Sequence, residues 1–134
     1  MKKIAILTLI ITTVSLNLLS CKSGSSDNNI TTLTTANFVD ETGKGIVMVD
    51  FWATWCMPCK AMAPIIEEMA SQTKGKVKVG KVDIDQNGPL ANQFGIQAIP
   101  TIIIFKDGQP METLVGMQSK EAIVNALSKY VSLQ

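Results

Sequence analysis

Ile46-Val47-Met48-Val49-Asp50-Phe51-Trp52 runs through Ala53-Thr54-Trp55 into Cys56-Met57-Pro58-Cys59-Lys60, and the reading of this stretch decides the fold. The first seven residues are almost wholly apolar and follow the breaker Gly43-Lys44-Gly45, which predicts a strand buried on both faces. From Cys56 the pattern turns helical. A helix start offers unpaired N–H groups and the positive end of the dipole, and both favour a thiolate over a thiol. Cysteines at i and i+3 share one face of that first turn, close enough to bond to each other. Cys56 is therefore expected to be an exposed nucleophile, more acidic than a free cysteine, with Cys59 a shielded resolving thiol one turn further in. A carboxylate inside the strand is the oddity. Burial of Asp50 predicts a pKa well above the ordinary value of about 3.9, which suits it to accept the proton of Cys59 through water.

Outward from this junction, Met62, Ile66 and Met69 fall at i, i+4 and i+7, so the helix is expected to run to about Thr73 with Lys60, Glu67 and Glu68 facing away. Pro64 is expected to kink it without ending it. Val77 to Asp83 reads as a strand, although Gly80 spoils its alternation. Asn87-Gly88-Pro89 opens a short helix ending at Gly95. Thr101 to Lys106 is a β-branched strand, Asp107-Gly108 a hairpin turn and Met111 to Val115 the returning strand. Ser119 starts a last helix with a buried stripe at Ile123, Leu127 and Tyr130/Val131. On the N-terminal side, Ile30 to Leu33 is an edge-strand candidate, and Thr34 or Thr35 caps a brief helix over Ala36 to Glu41. The sum is β-α-β-α-β-α-β-β-α, an α/β fold with parallel strands joined by crossover helices and a terminal hairpin.

The 134 residues make one domain, with 12 basic and 11 acidic side chains and no histidine. Without histidine, Ser-His and Cys-His catalysis and most zinc chemistry are excluded, and two cysteines cannot close a zinc site in one chain. The absence of a basic block argues against nucleic acid as a partner. Met1-Lys2-Lys3 and the apolar run Ile4 to Leu19 read as a secretory signal over residues 1–20. Leu18-Leu19-Ser20-Cys21 resembles a bacterial lipobox, which makes Cys21 the lipidation site and accounts for an odd cysteine count. The other readings are cleavage with Cys21 left free, or an uncleaved anchor. Residues 22–29 are small and polar and read, with Cys21, as a tether reaching about 15 Å, and the folded domain as 30–134.

Further matches accompany the cysteine motif: Pro64, Lys81-Val82-Asp83-Ile84-Asp85-Gln86-Asn87, Gly95-Ile96, Ile99-Pro100-Thr101, Phe105-Lys106-Asp107-Gly108 and Val115-Gly116. With Val49 to Lys60, this ordered set from Ile30 to the C terminus resembles the thioredoxin family. The resemblance implies a central mixed five-stranded sheet in the order 1-3-2-4-5, flanked by helices on both faces. It implies Cys56 and Cys59 as the catalytic pair, Asp50 as proton acceptor and Lys81 as the lysine that moderates Asp50. It also implies that Pro100 follows a cis bond, and that Trp55, Met57, Pro58, Ile99, Pro100, Gly116 and Met117 form the rim on which substrate docks. Met57 departs from the family pattern, where glycine is usual. It adds a flexible apolar side chain to the rim and no charge beside the thiolate.

The function implied is reduction of protein disulfides by an exported, membrane-anchored bacterial lipoprotein in the periplasm. It would need no dissociable cofactor and no metal, would act as a monomer and would be recharged by a membrane thiol-electron donor. The rival readings are an oxidase or isomerase of the same fold, a redox-silent binding module, and a metal or iron–sulfur site shared between two chains.

Overall fold

The computed structural model describes residues 29–133. The segments expected to be a signal (1–20) and a tether from Cys21 to residue 28 lie outside the described residues. The elements in chain order are Ile30–Thr32 (β1), Phe38–Thr42 (α1), Ile46–Trp52 (β2), Met57–Gln72 (α2), Val77–Asp83 (β3), Gly88–Gln93 (α3), Thr101–Lys106 (β4), Gln109–Val115 (β5) and Lys120–Ser128 (α4). They form one five-stranded sheet in the order β1-β3-β2-β4-β5. β1, β3 and β2 are parallel, whereas β4 runs antiparallel to β2 and β5 antiparallel to β4.

The alternation of β2 divides the core into two layers. Met48 packs with Ile102 and Ile104 of β4 against Met62, Ile66 and Met69 of α2 and Ile123 and Leu127 of α4. Val47, Val49 and Phe51 face the other way, with Ile103 and Phe105, onto Phe38 of α1 and Leu90 of α3. Phe105 meets Phe38 and Phe94 edge to face, with ring centroids 5.4 and 5.2 Å apart. This parity places Asp50 on the same face as Met48, toward α2. Lys81 stands beside it, the register partner of Asp50 on β3. Gly80 breaks the alternation of β3 because Leu33 occupies the space its side chain would need. A Cβ there would sit 2.8 Å from Leu33 Cγ.

α2 starts and stops where its periodicity predicts and continues through Pro64, since Met62, Ile66 and Met69 are all buried across it. The hairpin turn has positive φ at both Asp107 (49°) and Gly108 (80°), as a tight two-residue turn between twisted strands requires. Ser119 caps α4, its Oγ accepting the Ala122 N–H at 3.2 Å. Two boundaries differ from expectation. α1 begins at Phe38, two residues late, because Asn37 Oδ1 accepts the Thr34 N–H at 2.7 Å and closes a separate turn first. β5 begins at Gln109, two residues early, and tolerates Pro110 because it is an edge strand. Among the described residues no helix is long and apolar enough to cross a membrane.

Candidate active site

β2 ends at Trp52, and the turn Ala53-Thr54-Trp55 delivers Cys56 to the N-cap of α2 in extended backbone geometry (φ −79°, ψ 102°). Cys56 Sγ takes the place a serine or aspartate oxygen usually fills at an N-cap, accepting the Cys59 N–H at 3.2 Å. Pro58 costs the helix nothing here, since first-turn N–H groups have no partner within the helix. Cys56 and Cys59 form a disulfide, with an S–S distance of 2.06 Å and Cα atoms 5.3 Å apart. Both are only 4% exposed, which corrects the expectation of an exposed Cys56 over a shielded Cys59. Ala53 lies in the same cluster, and Trp52, Ile84 and Ile99 pack against it, so the oxidised pair presents little more than an edge to solvent.

Asp50 lies under this pair. It is 7% exposed, and its Oδ1 has no hydrogen-bond partner among the described residues. Desolvation raises its pKa to about 7, offset in part by the positive charge of Lys81. Asp50 and Cys59 both line a cavity of about 100 Å³ with Trp52, Lys60, Glu67 and Lys81. A cavity of that size has room for water between carboxylate and sulfur. The Lys81 ammonium also sits 5.3 Å from the Trp52 ring centroid, close enough for a cation–π contact that holds it at the cavity. Once the disulfide is reduced, this is a base of near-neutral pKa that shares a cavity with a thiol.

Around the disulfide the predicted rim is only partly superficial. Trp55 (63%), Met57 (70%) and Met117 (59%) are exposed, Pro58 is exposed, Ile99 is half-buried and Pro100 is buried. The Ile99–Pro100 bond is cis. Pro100 O accepts the Gly116 N–H at 2.8 Å, which fixes the 116–117 loop beside the cysteines. Gly116 has φ +83°, a conformation that strains any residue with a Cβ.

Two residues that the sequence reading passed over belong to this site. Asp85 Oδ2 accepts the indole N–H of Trp55 at 2.8 Å. Trp52 and Asp83 are register partners on parallel strands, so the loops that follow end level, and no local sequence pattern announces that pairing. Glu67 reads as a solvated helix position, and it is exposed, yet it also lines the Asp50 cavity. Cys59, Ala63 and Glu67, at i, i+4 and i+8, share one helical line and carry that signal. Among the described residues no group of three His, Cys, Asp or Glu is placed to hold a metal ion.

The family model described as Thioredoxin matches residues 29–129. The chain belongs to the thioredoxin family. It is 44% identical over 102 residues to thioredoxins of Staphylococcus saprophyticus and Staphylococcus aureus, covering 76% of this chain and 98% of each relative. Among solved structures it resembles a Malassezia sympodialis thioredoxin, with a TM-score of 0.70 and 35% identity over 75% of this chain and 90% of that one. It also resembles a mutant thioredoxin of Halobacterium salinarum, with a TM-score of 0.72 and 30% identity over 83% of this chain and 99% of that one. A thioredoxin carrying the Cys56–Cys59 disulfide is a protein-disulfide oxidoreductase.

The Trp55–Asp85 bond in this thioredoxin gives a first expected result. Asp85→Ala frees the Trp55 indole, at the cost of one exposed hydrogen bond, at most about 1 kcal/mol. The kcat/KM for a protein disulfide is then expected to fall about fivefold, with the alkylation rate of Cys56 unchanged. A loss in alkylation rate as large as the loss in kcat/KM would instead place Asp85 in the chemistry itself.

Proposed function

We propose that this thioredoxin is exported, held to a membrane through lipid on Cys21, and reduces disulfides in protein substrates of the bacterial periplasm. The observation that carries the reductive chemistry is the cavity shared by Asp50 and Cys59, which gives the resolving thiol a proton acceptor poised near neutral pH. Leu18-Leu19-Ser20-Cys21 after an apolar leader supports export and anchoring.

In the reduced protein the Cys56 thiolate attacks one sulfur of a target disulfide. The target's other sulfur leaves as a thiolate, and a mixed disulfide with Cys56 remains. Trp55, Met57 and Ile99 provide the apolar rim for that complex, with Pro58, Pro100 and Gly116 shaping it. Cys59 then loses its proton through water to the Asp50 carboxylate, whose basicity Lys81 moderates. The Cys59 thiolate attacks Cys56 Sγ, releases the reduced target and restores the Cys56–Cys59 disulfide. Two electrons have passed from the dithiol to the target. They sit on the sulfurs alone, so a membrane thiol-electron donor must reduce the pair again outside the cytoplasm.

Equilibration with glutathione tests the direction. Reductants of this fold lie near about −270 mV and strong oxidants near about −120 mV. A potential below about −200 mV is expected here, with catalysed reduction of insulin disulfides by the dithiol form. A value near the oxidant end would assign the protein to disulfide formation, although Met57 brings no charge that would favour an extreme oxidant.

A further inference from the structure

The end of the sheet opposite the disulfide carries a basic groove. β2 and β3 run parallel with Ile46 opposite Val77, so the residues just before them lie together at one end. Seven strand residues, about 20 Å, separate this end from Trp52 and the cysteines. The groove encloses about 570 Å³ and is lined by Lys44, Lys74, Lys76 and Lys78, with Ile46 and Val77 among its apolar residues and no carboxylate. The acids nearby are engaged. Glu41 pairs with Lys78 at 2.8 Å, and Asp107 Oδ1 accepts the Gly45 N–H at 2.9 Å. Lys76 donates to Ser132 O at 3.0 Å. Lys44 and Lys74 have no hydrogen-bond or ion-pair partner among the described residues.

Asn29, where the N-terminal segment joins the domain, lines the same groove, and Ile30 pairs with Val79 near the start of β3. A tether from Cys21 therefore reaches the domain at its basic end.

We propose that this groove docks onto a surface of anionic lipid headgroups, which turns the Cys56–Cys59 edge away from the membrane toward soluble substrates. The inference rests on the anchored reading above for its membrane, and on the groove's charge and position for its contact. Phosphodiester oxygens would be received by Lys44 and Lys74, with Lys76 and Lys78 at the margin. A lysine next to an anionic leaflet shifts the docked-to-free ratio about fivefold, so Lys44→Gln with Lys74→Gln should lower it about 25-fold.

The full chain as isolated from cells is bound to vesicles of phosphatidylcholine, with or without one-third phosphatidylglycerol, and amide hydrogen exchange is followed. Slower exchange at the loop amides of 43–45 and 74–76 is expected only with phosphatidylglycerol. It should vanish in the double variant and at about 1 M salt, where the Debye length is roughly 3 Å. Insulin reduction by the double variant should match wild type. Equal protection on both vesicles would mean proximity from the anchor alone and would overturn the proposal. So would protection by inorganic phosphate without anionic lipid, which would mark a soluble-anion site. Intact mass reports lipid on Cys21 separately. An unlipidated chain that still shows lipid-dependent protection would remove the anchor and keep the groove, whereas a lipidated chain without it would do the reverse.

Discussion

Cys56→Ser is expected to abolish insulin-disulfide reduction, at least about a thousandfold, whereas Cys59→Ser should still make the first attack and then stall as a mixed disulfide. The asymmetry follows from the first turn of α2. Cys56 occupies the N-cap, where its sulfur receives the Cys59 backbone N–H at 3.2 Å and lies at the positive end of a 16-residue helix. A hydrogen bond to a charged acceptor contributes about 1.5–3 kcal/mol, and each 1.4 kcal/mol in favour of the thiolate lowers the thiol pKa by about one unit. That donor is a main-chain group, so Cys59→Ser leaves it in place and should leave Cys56 reactive. With the second thiol gone, nothing attacks Cys56 Sγ, and bound substrates remain linked to the enzyme. Iodoacetamide kinetics on the reduced protein should show Cys56 reacting faster than a free cysteine at pH 7. Mass spectrometry of Cys59→Ser recovered from cells should show substrate adducts on Cys56. Substrate adducts trapped on Cys59 in Cys56→Ser, with none on Cys56 in Cys59→Ser, would reverse the two roles.

The strands and the hairpin were legible because their signals are local. Ile46 to Trp52 is apolar enough to be buried on both faces, and Asp107-Gly108 supplies the two positive φ values that the turn requires. The length of α2 was legible too, since Met62, Ile66 and Met69 keep their period across Pro64 and all three are buried. Strand order was not. Apolar runs do not reveal their neighbours, and the order 1-3-2-4-5 came from resemblance to a family. The late start of α1 was hidden because Asn37 could have capped a helix and instead closes a turn on Thr34.

At the site, the residues carried by the motif were legible, and those contributed by another element were not. Asp85 reaches Trp55 only because β2 and β3 end level. Glu67 joins the cavity only because α2 lies over Asp50. The motif alone makes Cys56 look exposed, because a thiol at a helix start usually is. Ile99, distant in sequence, and Trp52 pack against the bonded pair, and that contact has no local signature.

Asp50→Asn should stabilise the protein at pH 8 by about 4 kcal/mol and have little effect near pH 4. In the folded state the pKa of Asp50 is raised from 3.8 to about 7, chiefly because burial penalises the carboxylate, with Lys81 recovering part of that penalty. A raised carboxyl pKa means that the native state holds a proton the unfolded chain has already released. Stability is therefore full below about pH 4, falls as pH rises toward 7, and stays at its lower level above that. At about 1.4 kcal/mol per unit, a shift of roughly three units sets the size of the effect. Asparagine keeps the shape and cannot ionise, so the variant should hold the low-pH stability throughout. Lys81→Met should act oppositely, raising the pKa of Asp50 further because the nearby positive charge is gone. The same substitution at Asp50 removes the proton acceptor proposed for Cys59, and loss of a positioned base slows proton transfer about a hundredfold or more. Asp50→Asn should thus be more stable and slower at once, with mixed disulfides accumulating and the rise of the resolving step through pH 7 flattened. Denaturant unfolding at pH 4, 6 and 8, paired with stopped-flow resolution of a trapped substrate, measures both. A variant no more stable than wild type at pH 8 would mean that Asp50 is not carrying a buried charge. Unchanged resolution would mean that Cys59 gives its proton to another group or directly to solvent.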